Sequence, residues 1–370
     1  MSRNLLDAKD ENYIYAPLAY HDSWLSVDPI VGCRLDCQYC YMQSTRWTAT
    51  KPEILYIVSE MVEMLIAHRH FVRDETILCF GNQTDPFLPD NVDYTLKFFE
   101  ALEQRGFNNP LVVVTKKRIP RHFLDRACQL KYVRPIFILS YSGLPKSIER
   151  GVNPKENQEN FKTLSQLGLC VTHFWRPLIA ENGSVEILEE VLELVAQYAM
   201  ASVYTGLKLN PHFYFTYAKN SHLRLPEELD GQYGDYIPEG VEERLRTLAS
   251  AKYPNYPMYM HTSCAVSYVL SIPDYTATLY HPVCKASNCP MWKRRICEGA
   301  RSSPTRQQTQ TLLSHLGLEN SFTISDHVIE ISGEINQEDY AFLLHCLNYP
   351  LKAQVKHTRN LWGSIFKQSQ

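Results

Sequence analysis

Cys33, Cys37 and Cys40 fall within eight residues, in the run Gly32-Cys-Arg-Leu-Asp-Cys-Gln-Tyr-Cys-Tyr41. Thiolates spaced C-x3-C-x2-C suit three irons of a [4Fe–4S] cube and leave the fourth iron without a protein ligand. An open iron chelates a small molecule and passes it an electron. The hard step then belongs to the cofactor, while the protein sets its potential and aims the product. Zinc is the competing metal, but it wants a fourth close ligand, and His21 lies upstream rather than at a usual finger spacing.

A second group, Cys264, Cys284, Cys289 and Cys297, lies in the last third of the chain. Four thiols suffice for a second [4Fe–4S] cluster or a structural zinc, and free, partly buried cysteine is the third reading. The spacing fits no regular zinc ribbon. Cys128, Cys170 and Cys346 stand alone at apolar positions and are expected in the core.

These residues need a scaffold that holds loops at one end. Apolar runs at residues 76–80, 111–115, 135–140, 170–175 and 202–207 read as buried parallel strands, with residues 23–30 as the first. Amphipathic stretches at 52–68, 94–105, 120–129, 154–167 and 185–200 have helical length. Pro154 after the cap Asn153, with Gly168 beyond, marks the fourth of these. Six βα units argue for a parallel sheet with helices outside, and active sites in such sheets lie at the carboxyl ends of the strands. The Cys33 loop follows the first strand.

Several short segments strengthen one assignment. Tyr41-Met-Gln-Ser44 follows the cysteine loop, and Gly81-Asn-Gln-Thr-Asp-Pro86 follows the second strand. Val112-Val-Val-Thr-Lys116 is the third strand, Ile148-Glu-Arg-Gly151 precedes the fourth helix, and Arg176-Pro-Leu-Ile179 ends the fifth strand. With the cysteines, these resemble the radical S-adenosylmethionine enzyme superfamily, and within it the spore photoproduct lyase-like branch. The resemblance covers roughly residues 31–209, about half the chain. It implies an α/β fold, a partial (β/α)6 TIM-like barrel, in which S-adenosylmethionine binds the open iron and is cleaved reductively to methionine and a 5′-deoxyadenosyl radical.

Positions within that frame suggest roles. Gly81 and Asn82, past a strand end, offer backbone groups to the cofactor's amino group. Lys116 would bind its carboxylate by charge-assisted hydrogen bonds, with a solvated loop lysine as the alternative. Ser140 and Ser142 suit ribose hydroxyls, although serines are common in turns. Arg176 faces an anion in the barrel mouth or makes an outward ion pair. Tyr39 packs against the cofactor or the core. His173 and Trp175 share one strand face and are expected in the core. One departure matters: spore photoproduct lyases proper carry a hydrogen-donating cysteine just before the Thr84 equivalent, where this chain has Asn82 and Gln83. Cys79 is the nearest cysteine and sits inside a strand. The resemblance therefore implies radical generation and leaves the substrate open.

Composition bounds the rest. The chain has 370 residues, 45% of them hydrophobic, and a net charge of −3, which excludes a uniformly basic nucleic-acid coat. Basic segments nevertheless occur at 281–306 and 340–370, which would steer an anionic substrate or remain solvated faces. No signal-peptide core or membrane-length apolar run is present, so no membrane partner is expected; eleven cysteines point to a reducing, cytoplasmic compartment. The expected organisation is an N-terminal extension (1–22), the barrel (23–260), a cysteine-rich metal-binding segment (261–300) and a small C-terminal α+β domain (301–370). The leading reading is a radical enzyme acting on a nucleic acid or nucleotide, supplied by an electron donor of flavodoxin or ferredoxin type. The alternatives are a peptide-modifying radical enzyme with an auxiliary cluster, and a non-catalytic metal-bearing nucleic-acid-binding module.

Overall fold

The computed structural model describes residues 15–21, 23–44, 47, 49–209, 214, 217–218, 222–227, 234–275, 289–300 and 302–356. An antiparallel pair, β1 (Leu18–Tyr20) and β2 (Leu25–Val27), opens the chain. The strand expected over 23–30 stops at Val27. Pro29 lacks an amide hydrogen, and the chain bends there into a small separate ribbon of β3 (Ile30–Val31) with β4 (Glu53–Ile54). Strands and helices then alternate as expected: α1 (Val58–Ile66), β5 (Leu78–Phe80), α2 (Val92–Gln104), β6 (Pro110–Thr115), α3 (Arg121–Ala127), β7 (Arg134–Ser140), α4 (Pro154–Gln166), β8 (Cys170–Trp175), α5 (Val185–Tyr198) and β9 (Ser202–Tyr204).

After β9 come β10 (Leu207–Leu209), β11 (Gly234–Tyr236), α6 (Val241–Lys252) and β12 (Met258–Tyr259). The main sheet runs β1-β2-β5-β6-β7-β8-β9-β12, parallel from β2 onward. The fold is α/β, a partial TIM-like barrel. It has one more parallel strand than the sequence suggested, because two-residue β12 lies in a Tyr- and Pro-rich stretch with no period to detect.

Alternation along the strands separates two cores. Leu78, Phe80, Val113, Phe137 and Trp175 face the helices, where Phe98, Phe123, Phe161 and Leu192 cover them. Cys79, Val112, Ile136, Ile138 and Val203 point to the concave side, which α7 (Thr262–Leu270) fills with Ala265 and Val266. Helix ends follow local chemistry. The Asn153 side chain accepts the Lys155 amide at 3.2 Å, and Gly168 adopts φ +69° just past α4.

The tail holds α8 (Met291–Gly299), α9 (Arg306–His315), β13 (Phe322–Ile324), β14 (Ile329–Asn336), α10 (Gln337–Leu347) and β15 (Leu351–Lys356). Residues 322–331 read in sequence as a single strand-like run but form a hairpin, since Ser325 and Val328 close a turn within it (N–H to C=O, 3.0 Å). β15 pairs parallel with β14, and α10 packs on β1, so the small α+β unit covers the free edge of the main sheet. Two of the isolated cysteines are exposed rather than in the core as expected, Cys128 at the end of α3 and Cys346 on α10, while Cys170 at the start of β8 is half-buried against the concave-side core. No described helix is long and apolar enough to cross a membrane. Trp362 and the basic residues around it lie outside the described residues.

Candidate functional site

A cavity of about 580 Å³ opens at the carboxyl ends of the strands, taking Asn82, Lys116, Ser140, Arg176, Thr205 and Met260 from successive strand ends. Cys33, Cys37 and Cys40 line it from the loop after β3. Gly32 turns the chain into that loop at φ +94°, where a Cβ would lie 2.8 Å from Thr50 Oγ1. The loop is docked by backbone on residues 148–151. The Gln38 amide donates to the Ile148 carbonyl (2.9 Å) and the Gly151 amide to the Leu35 carbonyl (2.8 Å). A Cβ at Gly151 would sit 2.7 Å from Leu35 Cα, so the two backbones approach this closely only with glycine there.

The Thr84-Asp85-Pro86 turn binds the same loop to the sheet. Thr84 Oγ1 donates to the Gly32 carbonyl (2.5 Å), while Asp85 accepts from Thr115 Oγ1 and from the Lys116 amide, both at 2.8 Å. Burial raises the Asp85 carboxyl above its ordinary range against those hydrogen bonds. Nothing in the sequence pattern marked this turn as the staple between the loop and the sheet.

Lys116 Nζ bonds Ser140 Oγ and Glu149 Oε1, each at 2.8 Å, and Tyr39 Oη donates to the same Glu149 oxygen. Burial works against the Lys116 charge, but Glu149 and Cys37 beside it outweigh that and hold its pKa above the ordinary lysine value. Lys116 is thus half of a buried ion pair that lines the cavity, not a lysine on a solvated loop. Glu149, whose backbone bridges Cys37, was not anticipated, because nothing local in the sequence marks a partner 33 residues from Lys116.

Other expectations need correction. Ser142 is fully buried away from the cavity: its hydroxyl accepts the Leu144 amide (3.2 Å), and its carbonyl accepts from Trp175 and Asn182. Asn82 is engaged within the protein, its amide donating to Asp28 Oδ1 (2.5 Å) and its carbonyl accepting from Tyr41 Oη. The Gly81 amide closes on Val27. Both residues reach the cavity wall; an amino group there would need backbone acceptors, and of the two carbonyls that of Asn82 already accepts from Tyr41. Tyr39, Ser140 and Arg176 do line the cavity, and the Arg176 guanidinium stacks 5.6 Å from the Phe174 ring centroid. His173 and Trp175 are core residues as expected, His173 being wedged between Ser202 Oγ (2.8 Å) and the Tyr141 carbonyl (2.7 Å).

The three thiols fit the metal chemistry their spacing implies. Burial pushes Cys33 up to about 12 and raises Cys37 and Cys40, and the three repel one another as thiolates. A cationic metal would hold them deprotonated together, in the same sense as Lys116, whose charge favours the Cys37 and Cys40 thiolates.

Of the second group, Cys264 is buried on α7, lines the same cavity and donates to Asp274 (3.4 Å). Cys289 accepts from Tyr259 Oη at 3.8 Å, and Cys297 sits near the end of α8, half-buried. Cys284 lies outside the described residues.

No protein-family model and no curated protein matches the chain. Among solved structures it is similar to spore photoproduct lyase complexed with dinucleoside spore photoproduct, at 14% identity and TM-score 0.51, over 70% of this chain and 80% of that one. Two single-substitution variants of spore photoproduct lyase match at 16% and 15% identity, each with TM-score 0.50, over 65% and 67% of this chain and 78% and 80% of theirs. The likeness establishes a shared fold.

Proposed function

We propose that the chain is a radical S-adenosylmethionine enzyme whose cluster is held by Cys33, Cys37 and Cys40. The observation that carries this reading is three thiols on one loop, Cys37 buried and Cys33 and Cys40 half-buried, lining a cavity at the carboxyl ends of a partial barrel. When bound there, a [4Fe–4S] cluster with S-adenosylmethionine supplies one-electron cleavage and a 5′-deoxyadenosyl radical.

The chain's own residues bind, orient and exclude water. The Lys116–Glu149 pair lies against Cys37 and brings fixed charge to the cluster's edge. Ser140 and Arg176 face the cofactor space, and Tyr39 packs beside them, its ring 5.4 Å from Lys116 Nζ. Phe174, Tyr204 and Tyr217 give the cavity an apolar aromatic wall that limits water around a reactive species.

Hydrogen abstraction from a nucleic acid or nucleotide is the substrate reading. Its support is a cavity that combines aromatic rings for stacking with Arg176 and Lys208 for phosphate, on the fold of an enzyme solved with a dinucleoside lesion. Where that enzyme family carries its hydrogen-donating cysteine this chain has Asn82 and Gln83, and Cys79 is fully buried in the concave-side core. An electron donor of flavodoxin or ferredoxin type and a reducing cytoplasm complete the reading. So does a second cluster or zinc at the Cys264 group, supported by Cys264 reaching the same cavity.

Two measurements test this. Iron, sulfide and zinc per chain, on the parent and on Cys33/Cys37/Cys40→Ala, should show loss of about four irons in the variant; equal iron in both would remove the cluster from this loop. Binding of a labelled oligonucleotide should weaken steeply with salt. Binding that ignores salt, with turnover on peptides, would give the peptide reading precedence.

A further inference from the structure

Where the C-terminal unit meets the barrel, a second constellation has no part in the chemistry above. His68 and His70 stand in the turn after α1, and Glu338 in the first turn of α10. One ring nitrogen of each histidine and one Glu338 oxygen lie within 4.8 Å of one another. His70 is 2% exposed, and its Nε2 lies 2.7 Å from the fully buried Asp339 Oδ1. A carboxylate only accepts, so Nε2 carries the hydrogen, and in the neutral imidazole Nδ1 presents its lone pair.

That Nδ1 has no hydrogen-bond partner, although it is buried. It faces Glu338 Oε2 at 3.7 Å, too far for a hydrogen bond. Two ligands on one zinc, each bonded at about 2.0–2.1 Å, stand roughly 3.3 Å apart. The gap therefore suits an ion between the two atoms better than a proton shared by them. Asp339 in turn is fixed by Arg69 (2.6 Å) and by capping α10 with Asn336. A carboxylate holding the far nitrogen of a histidine is the arrangement that orients a metal-bound imidazole.

We propose that His68, His70 Nδ1 and Glu338 bind a divalent cation of the zinc class, oriented through Asp339, and that the ion clamps the C-terminal unit to the barrel. Two ligands come from the barrel and one from α10, so the ion ties the two units across β1. Three protein ligands leave a fourth position for water. The His-x-His spacing at 68–70 was the sequence signal, and it went unread because Glu338 lies 268 residues further on.

The test uses zinc itself on the full chain, by chelator competition and metal analysis of the parent, His68→Ala and Glu338→Gln. Each variant should bind one zinc fewer than the parent, or bind that equivalent at least 100-fold more weakly, with iron content unchanged. Unchanged iron separates this site from the Cys33 cluster, and the side-by-side comparison cancels any zinc at Cys264–Cys297. Equal zinc and equal affinity in all three would overturn the proposal. Loss in Glu338→Gln with retention in His68→Ala would overturn the three-ligand assignment. Circular dichroism of Glu338→Gln, the milder change, verifies that any loss is not unfolding.

Discussion

Lys116 Nζ lies 2.8 Å from Glu149 Oε1, with both side chains largely buried at the end of β6 under the cysteine loop. The pair joins a strand end to the segment on which that loop is docked. Removing one partner leaves a buried charge uncompensated, which costs far more than removing both. Glu149→Gln should therefore destabilise the chain by about 3–5 kcal/mol, and Lys116→Met by a similar amount. The double variant should fall well short of the sum in denaturant unfolding. Additive single effects would mean that the two charges do not depend on each other.

Gly151→Ala tests the docking. The added methyl meets Leu35 backbone, which cannot swing aside like a side-chain end. A cost of about 1–3 kcal/mol is expected, and iron per chain should fall because the cysteine loop is pushed off residues 148–151. Full iron loading in this variant would show that the loop holds its cysteines without that contact.

Ser142→Ala separates turn serines from cavity serines. Loss of the hydroxyl that accepts the Leu144 amide should cost about 1 kcal/mol. Equilibrium binding of S-adenosylmethionine should be unchanged. Ser140→Ala removes a group facing the cavity and bonded to Lys116, and it should weaken that binding. Equal effects of the two on cofactor affinity would contradict the placement.

Asp28 makes stability depend on pH. Burial pushes its carboxyl up to about 7 from an ordinary 3.8, despite the amides of Gln83 and Asn82 that donate to it. Between those values the folded chain binds a proton that the unfolded chain has released, so this residue lowers stability as pH rises from about 4 to 7. His173, held neutral by burial down to about 4, works in the opposite direction over part of that range. The difference between Asp28→Asn and the parent cancels the histidine. The variant should gain relative stability toward pH 7, as read from denaturant midpoints across the range, and a flat difference would refute the assignment.

What the sequence made legible was local. Asn153-Pro154 and Gly168 mark both ends of α4 because caps act over a few residues. The cysteine loop was readable because its three thiols lie within eight residues. Asp28-Pro29 carried a strand break that the apolar run around it masked, and Ser325–Val328 hid a hairpin turn in the same way. The pairings that organise the site are long-range: Glu149 to Lys116, Asp85 to Thr115, and Asp339 to His70. No period or spacing encodes these; they follow from which strand ends the sheet places side by side. Ser142 shows the same limit, since whether a residue just past β7 faces the cavity depends on how the chain leaves the strand.

The most direct test of the account is 5′-deoxyadenosine formation from S-adenosylmethionine under anaerobic reducing conditions, comparing the parent with Cys37→Ala. The account predicts 5′-deoxyadenosine from the iron-loaded parent and none above background from the variant. Iron-loaded parent that forms none, or a variant that forms as much as the parent, would contradict it.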